Sequence, residues 1–292
     1  MTFKNKKYFA LILGASGGIG LATAKKLAEE GMNLCIVYRD RKADARLTES
    51  FYEELAAKHE IEVLTLNADA ADIETINDIC QKLYVFKSRG FFVRLLLHSV
   101  SKGNLKPLVK SKERNRDFSN DALGQSYKVL DEEKKKFISD EFLLDSSDFQ
   151  LTLQQMALSL IDWVKILHEN ALFADDARVI GLSSEGNQKA WVNYAAVSAT
   201  KAALEAIVRS IALEYAPYGI RANIIQAGVT DTSSLRRIPG ADYLKTGALF
   251  RNPMGRLTKP EDVANAVYLL CRDEAAWING ALLKVDGGES IC

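Results

Sequence analysis

What most constrains this chain is an alternation of two kinds of segment. Apolar runs of strand length are expected as strands at Phe9–Leu13, Leu34–Tyr38, Glu62–Asn67, Phe92–His98, Arg178–Leu182, Arg221–Gln226 and Ala281–Val285. Between them, stretches with helical periodicity predict helices at Ile19–Glu30, Lys42–Lys58, Ile73–Phe86, Asp148–His168, Tyr194–Tyr215 and Pro260–Cys271. Strands that alternate with helices have room to cross over and pair in parallel, with helices covering both faces of the sheet. The runs ALIL, LCIV and FFVRLLL are nearly continuous in apolar character, as strands buried on both faces must be. At 292 residues, 48% of them hydrophobic, the chain can fill one large α/β core.

Two stretches interrupt the rhythm. Residues 101–147 are polar and charged, with Asp131-Glu-Glu-Lys-Lys-Lys136 among them. A structureless loop of that length is rare in a compact domain, so a helix or two is expected inside it, most simply as a solvated insertion, with a cover over the active site or a subunit contact as the alternatives. Residues 230–253 follow a strand end and contain Pro239, Gly240 and Gly247, in the place where substrate lids are found. The remainder reads as a single domain over residues 1–292.

Gly14-Ala-Ser16-Gly-Gly18-Ile19-Gly20 stands between the first strand and the first helix. Gly14 permits a tight turn, Gly18 a close approach of backbone to a pyrophosphate, and Gly20 close packing of helix on strand; the helix N-terminus then faces the phosphates. Together with the alternation this predicts a Rossmann-type, doubly wound parallel α/β sheet of about seven strands that binds a dinucleotide. Ser16 and Ile19 complete the expected loop. The second strand ends in Tyr38-Arg39-Asp40-Arg41-Lys42. An acid there grips a ribose 2′-hydroxyl and an arginine accommodates a 2′-phosphate, so Arg39 favours NADPH, with NADH kept open by Asp40. Asp69, Ser99 and Val100 fall at carboxyl ends of strands three and four, where the adenine and its ribose are expected. His98 is expected to be a hydrogen-bonded strand-end histidine.

The segment Ser183-Ser184 to Tyr194-Ala-Ala-Val197-Ser198-Ala-Thr-Lys201 makes the chain recognisable. It resembles the short-chain dehydrogenase/reductase family, and the likeness extends from the glycine motif through Arg221-Ala-Asn-Ile-Ile-Gln-Ala-Gly228 to Val285-Asp-Gly-Gly288. The usual family spacing is Tyr-x-x-x-Lys, but Val197 stands four residues before Lys201 and Tyr194 seven. Both spacings return to the same helix face, with seven placing the Cα atoms ~10.5 Å apart along the axis. Tyr-x6-Lys is similar to the enoyl-acyl-carrier-protein reductase branch, as is Leu97-His-Ser-Val100 where many relatives carry Asn-Asn-Ala-Gly. Ser184 matches an NADPH-using subtype of that branch, with Ser183 as its neighbouring alternative.

The resemblance implies that Lys201 binds the nicotinamide ribose and supplies positive charge. It implies that Tyr194 hydrogen-bonds a thioester carbonyl as charge develops there, with Ser184 beside it. It places Gly228, Val229 and Thr232 at the nicotinamide, and leaves the family's relay asparagine without a clear counterpart in Met156-Ala-Leu-Ser159. Arg236 and Arg237, in the expected lid, are either solvated charges or contacts for a phosphopantetheine or a carrier-protein acid. Ser198, one turn before Lys201, is the alternative proton donor, though a serine is a poor acid.

The implied reaction is reduction of the 2,3 double bond of an enoyl thioester. The alternatives are carbonyl–alcohol oxidoreduction, for example of a 3-ketoacyl thioester, and a non-catalytic dinucleotide sensor or scaffold. The implied partners are an acyl thioester, carried on acyl carrier protein or coenzyme A, and three further copies in a homotetramer. Lys+Arg and Asp+Glu are equal at 38 each, which gives no field for nucleic acid or an anionic membrane. Cys35, Cys80, Cys271 and Cys292 are scattered, so free thiols are expected and a metal site is not. No apolar stretch has the length to span a bilayer, and a cytoplasmic location is expected.

Overall fold

A computed structural model describes residues 1–110, 125, 128–129, 132, 142–236, 238 and 240–292. Its sheet is parallel throughout, in the order β3-β2-β1-β4-β5-β6-β7. The strands are β1 (Tyr8–Leu13), β2 (Asn33–Tyr38), β3 (Val63–Asn67), β4 (Phe92–His98), β5 (Phe173–Ser184), β6 (Ile220–Ala227) and β7 (Leu282–Val285). The order reverses between β1 and β4, and the crevice at their carboxyl ends is where an open α/β sheet takes its ligand.

The period of two in β1 decides which layer each residue joins. Phe9, Leu11 and Leu13 face a core shared with α3 (Ile73–Lys87), α5 (Ser159–Glu169) and α6 (Ala195–Glu214), which contribute Ile76, Trp163 and Leu204. Ala10 and Ile12 face the opposite core, built with α1 (Gly18–Glu29), α2 (Lys42–His59) and the last long helix, α9 (Pro260–Cys271). Helices therefore cover both faces, as the apolar runs require.

Three departures from the sequence expectations have physical causes. β5 begins at Phe173, five residues earlier than expected, because Asp175 and Asp176 lie inside it and break its apolar run. The helix expected at Asp148–His168 is α4 (Ser146–Leu153) continued by α5 through a π-turn at Gln154–Leu158. Asp145 starts α4 in a capping box with Asp148, accepting from its N–H at 2.9 Å. The segment where a lid is expected is partly helical, with α7 (Ser233–Arg236) and α8 (Ala241–Arg251). The helices expected within 101–147 fall mostly on residues outside the described ones, as does Arg237.

Two strand residues contradict their apolar surroundings. Arg94 in β4 is fully buried, and Arg178 in β5 is 1% exposed. Arg94 donates to the Cys271 carbonyl at 2.9 Å and Arg178 to the Leu270 carbonyl at 2.9 Å, so the two guanidiniums close the C-terminus of α9. Asp176 balances both, and also takes Arg221 at 2.5 Å. A buried cation is tolerated because each guanidinium nitrogen finds an acceptor and a carboxylate lies beside it.

Candidate active site

The first turn of the nucleotide cradle is made by backbone that only glycine permits. Gly14 has φ +88°, and a Cβ there would stand 2.5 Å from the Ser99 carbonyl oxygen. Gly18 has φ +55° and faces the Thr232 methyl, so the glycine loop and the turn after β6 close on each other. A Cβ on Gly20 would collide with the Gly14 carbonyl and lie 3.0 Å from Ala15 Cα. The assignment of Gly20 to close packing thus has a direct geometric basis. Gly17 starts α1 without a side-chain cap, Ser16 is exposed at the loop tip, and Ile19 packs on the core beneath. Tyr52 of α2 pins the loop from behind, its buried phenol donating to the Ala15 carbonyl at 2.6 Å. An open helix N-terminus behind a glycine cradle fits a dinucleotide pyrophosphate.

The end where adenosine is expected is charged. Asp69 receives Arg39 at 2.7 Å, Lys102 at 2.9 Å and the Gln155 amide at 3.3 Å on one oxygen, and the Ala71 N–H at 3.1 Å on the other. Burial alone would raise this carboxyl, but the hydrogen bond from Lys102 and its other donors outweigh burial and hold it at about 2. Arg39 therefore lies against Asp69, while Asp40 accepts from Thr48 and points elsewhere. Ser99 continues the β4 backbone by donating to the Leu13 carbonyl at 2.9 Å, and Val100 packs on the core.

At the other end, Tyr194 is the N-cap residue of α6 and Lys201 lies within that helix. Val197, between them, is buried and 5% exposed. The Tyr194 hydroxyl stands 3.4 Å from Ser184 Oγ. Ser183 points away from it, donating to Glu205 at 2.6 Å, so strand alternation separates the two serines and brings Ser184 to the phenol. The Tyr194 ring lies between Trp191, with centroids 5.5 Å apart, and the backbone of Gly186. Burial raises the phenol above its ordinary range, offset in part by Ser184, so it holds its proton at neutral pH.

Lys201 is 8% exposed and donates to the Leu182 carbonyl at 2.7 Å. Burial pushes its ammonium down to about 8, with Glu205 pulling the other way. His98 lies on the facing strand. Its Nε2 is 2.9 Å from Ser159 Oγ, and burial, together with the Lys201 charge, takes the imidazole down to about 3. Ser159 is thus the hydrogen-bond partner of a neutral histidine, and Met156 lies against Gly103. Past β6, the Val229 N–H donates to the buried Glu289 at 3.0 Å, and Thr232 Oγ1 accepts from Leu235 N at the start of α7. Arg236 is held by Asp231 at 2.9 Å.

Comparison with known proteins fits this arrangement. A family model described as enoyl-(acyl carrier protein) reductase matches residues 133–290, and one described as short chain dehydrogenase matches residues 8–86. The 3-oxoacyl-[acyl-carrier-protein] reductase of Escherichia coli is 30% identical over 99% of this chain and 98% of its own length. The chain belongs to the short-chain dehydrogenase/reductase family. Within that family it is also 28% identical to the 1-cyclohexenylcarbonyl-CoA reductase of Streptomyces collinus, over 98% of this chain and 88% of that one. The solved NADH-linked enoyl-[acyl-carrier-protein] reductase of Aquifex aeolicus shares the fold, with a TM-score of 0.75 at 24% identity over 100% of this chain and 99% of that one. As a short-chain dehydrogenase/reductase, the protein is an oxidoreductase with a nicotinamide dinucleotide as its cofactor.

Sequence reading missed Tyr52, Gly186, Trp191 and Glu205. Only Glu205 carried a signal, being one helical turn from Lys201 and so on the same face of the helix. Among the described residues no group of three or more acidic, histidine or cysteine side chains could hold a metal, and the four cysteines are free. No helix among the described residues is long and apolar enough to cross a membrane.

Proposed function

We propose that this oxidoreductase reduces the 2,3 double bond of an enoyl thioester with NADPH. The observation that carries the reading is the placement of the phenol. The position four residues before Lys201 is a buried valine, and the hydroxyl beside Ser184 belongs to Tyr194, one turn farther out at the helix mouth. A proton donor set back from the lysine suits a substrate whose carbonyl lies beyond the carbon being reduced. When bound, the reduced nicotinamide supplies a hydride for the β-carbon. Tyr194 then donates a hydrogen bond to the thioester oxygen on which the negative charge develops, and the enolate collapses by taking a proton from solvent at the α-carbon. Ser184 orients the phenol, and Lys201 holds positive charge behind it.

Arg39 and Lys102 share one carboxylate, Asp69, which leaves a net positive charge at the adenosine end. That excess supports NADPH over NADH, because a 2′-phosphate can draw the exposed Arg39 toward itself.

The test follows NADPH oxidation with a crotonyl thioester on coenzyme A and on acyl carrier protein. Turnover that falls about 10²-fold or more in Tyr194→Phe supports the proposal. The second reading, reduction of a 3-ketoacyl thioester, is favoured by the Ser184–Tyr194 pair, which can serve a carbonyl directly. Turnover of acetoacetyl but not crotonyl thioester would select it. Nucleotide binding with no turnover of either substrate would leave a sensor or scaffold.

A further inference from the structure

Beneath the Tyr194–Lys201 pair lies a carboxylate that no part of the proposed reaction uses. Glu205 is one turn past Lys201 on α6 and is 8% exposed. Its Oε1 accepts from Ser183 Oγ at 2.6 Å and from Asn187 Nδ2 at 2.6 Å. No cation of the described residues stands within ion-pair distance of it, so neutral donors satisfy its oxygen without cancelling its charge. Ser183 precedes Ser184, and Asn187 ends the short turn Glu185–Asn187 that carries Gly186 against the Tyr194 ring. With Lys201 bonded to Leu182 O, α6 grips the end of β5 at residues 182 and 183 and the turn after it at residue 187.

We infer that Glu205 is a positioning residue for the reaction. It fixes the turn on which Tyr194 rests and sets a negative charge one helical turn from the Lys201 ammonium. This rests on the reading of Tyr194 and Lys201 as the reacting pair, and it holds whichever thioester is reduced. Burial opposes the charge on Lys201 and Glu205 restores part of it. The other titratable groups around the lysine do not replace that contribution. His98 on β4 is neutral through the working pH range, and Tyr194 at the helix mouth keeps its proton. From β6, Gln226 is opposite Ser183 in register and is uncharged.

Glu205→Gln removes the charge and keeps an acceptor for Ser183; Asn187 can turn its amide, since its Oδ1 has no partner. The ammonium of Lys201 is followed by NMR of the protein carrying isotope-labelled lysine, assigned with Lys201→Arg, and the pH profile of turnover is recorded beside it. In Glu205→Gln the Lys201 titration and the alkaline limb of kcat should both move down by about 1 pH unit, with NADPH affinity within about twofold of wild type. Glu205→Ala, which also frees the turn, should lose about tenfold more in kcat than Glu205→Gln, and Glu205→Asp should recover part of it. An unmoved Lys201 titration in a folded Glu205→Gln protein overturns the electrostatic function. Equal kcat in Glu205→Gln and Glu205→Ala overturns the positioning function. Failure of the catalytic reading shows separately, as undiminished turnover in Tyr194→Phe and Lys201→Met, and leaves the NMR result standing.

Discussion

Replacing Gly186 with alanine tests the site's geometry with a single methyl group. The added Cβ would stand 3.0 Å from Tyr194 Cδ1 and nearer still to Cε1, about 1 Å inside ordinary van der Waals contact. Gly186 has no positive φ, so the backbone accepts alanine and the clash falls on the ring alone. Trp191 limits retreat on the ring's flank, and the hydroxyl is held toward Ser184. A displacement of the phenol by about 1 Å is worth about 10²-fold in rate, or roughly 2.7 kcal/mol of barrier. Steady-state kinetics on the thioester that the enzyme turns over should show kcat falling by about that factor. The dissociation constant for NADPH, read by nucleotide fluorescence, should stay within about twofold, because the glycine cradle is not touched. Stability should fall by no more than about 1–3 kcal/mol, the usual cost of an extra buried methyl. Wild-type kcat in a folded Gly186→Ala protein would refute the claim that this backbone positions the Tyr194 hydroxyl. Loss of nucleotide binding in parallel would instead show that the two halves of the site are not independent.

Three further outcomes follow from the same geometry. Because burial holds Lys201 at about 8, kcat/KM should decline above that pH as the ammonium is lost, and Lys201→Arg should move the limb upward; a flat profile to pH 10 would contradict it. Asp176→Ala strips the shared carboxylate from buried Arg94 and Arg178, and should cost about 3 kcal/mol in denaturant unfolding at pH 7. Burial works against the Asp176 carboxylate but the Arg178 hydrogen bond prevails, so its folded pKa lies below the unfolded one. The wild type should therefore lose this contribution as pH falls below about 4, while the alanine variant shows no matching loss. Arg39→Glu should weaken NADPH binding by at least about tenfold and NADH binding far less; an equal effect on both would remove the argument for the 2′-phosphate.

Much of the molecule is legible in its residues because the signals are local. β1 alternates between two cores exactly where its residue period demands, and Gly14 and Gly20 announce a turn and a close approach that no other residue tolerates. The seven-residue separation of Tyr194 and Lys201 is itself a statement about helix geometry, and the structure sets the tyrosine at the N-cap.

What the sequence determined by itself was the order of strands and helices, the glycine cradle and the helix face that carries the lysine. Each is written in the spacing of a few neighbouring residues. Tertiary structure alone decided which serine meets Tyr194, what supports its ring, which donors Glu205 accepts from and where Arg39 rests. Ser184, Gly186 and Glu205 reach the site from β5, a tight turn and a helix, and Arg39 meets an Asp69 thirty positions away. Burial, which sets the charge of Lys201 and His98, arises only when the sheet and its helices close around them. No local pattern encodes a distance between strands, and so none could report these contacts.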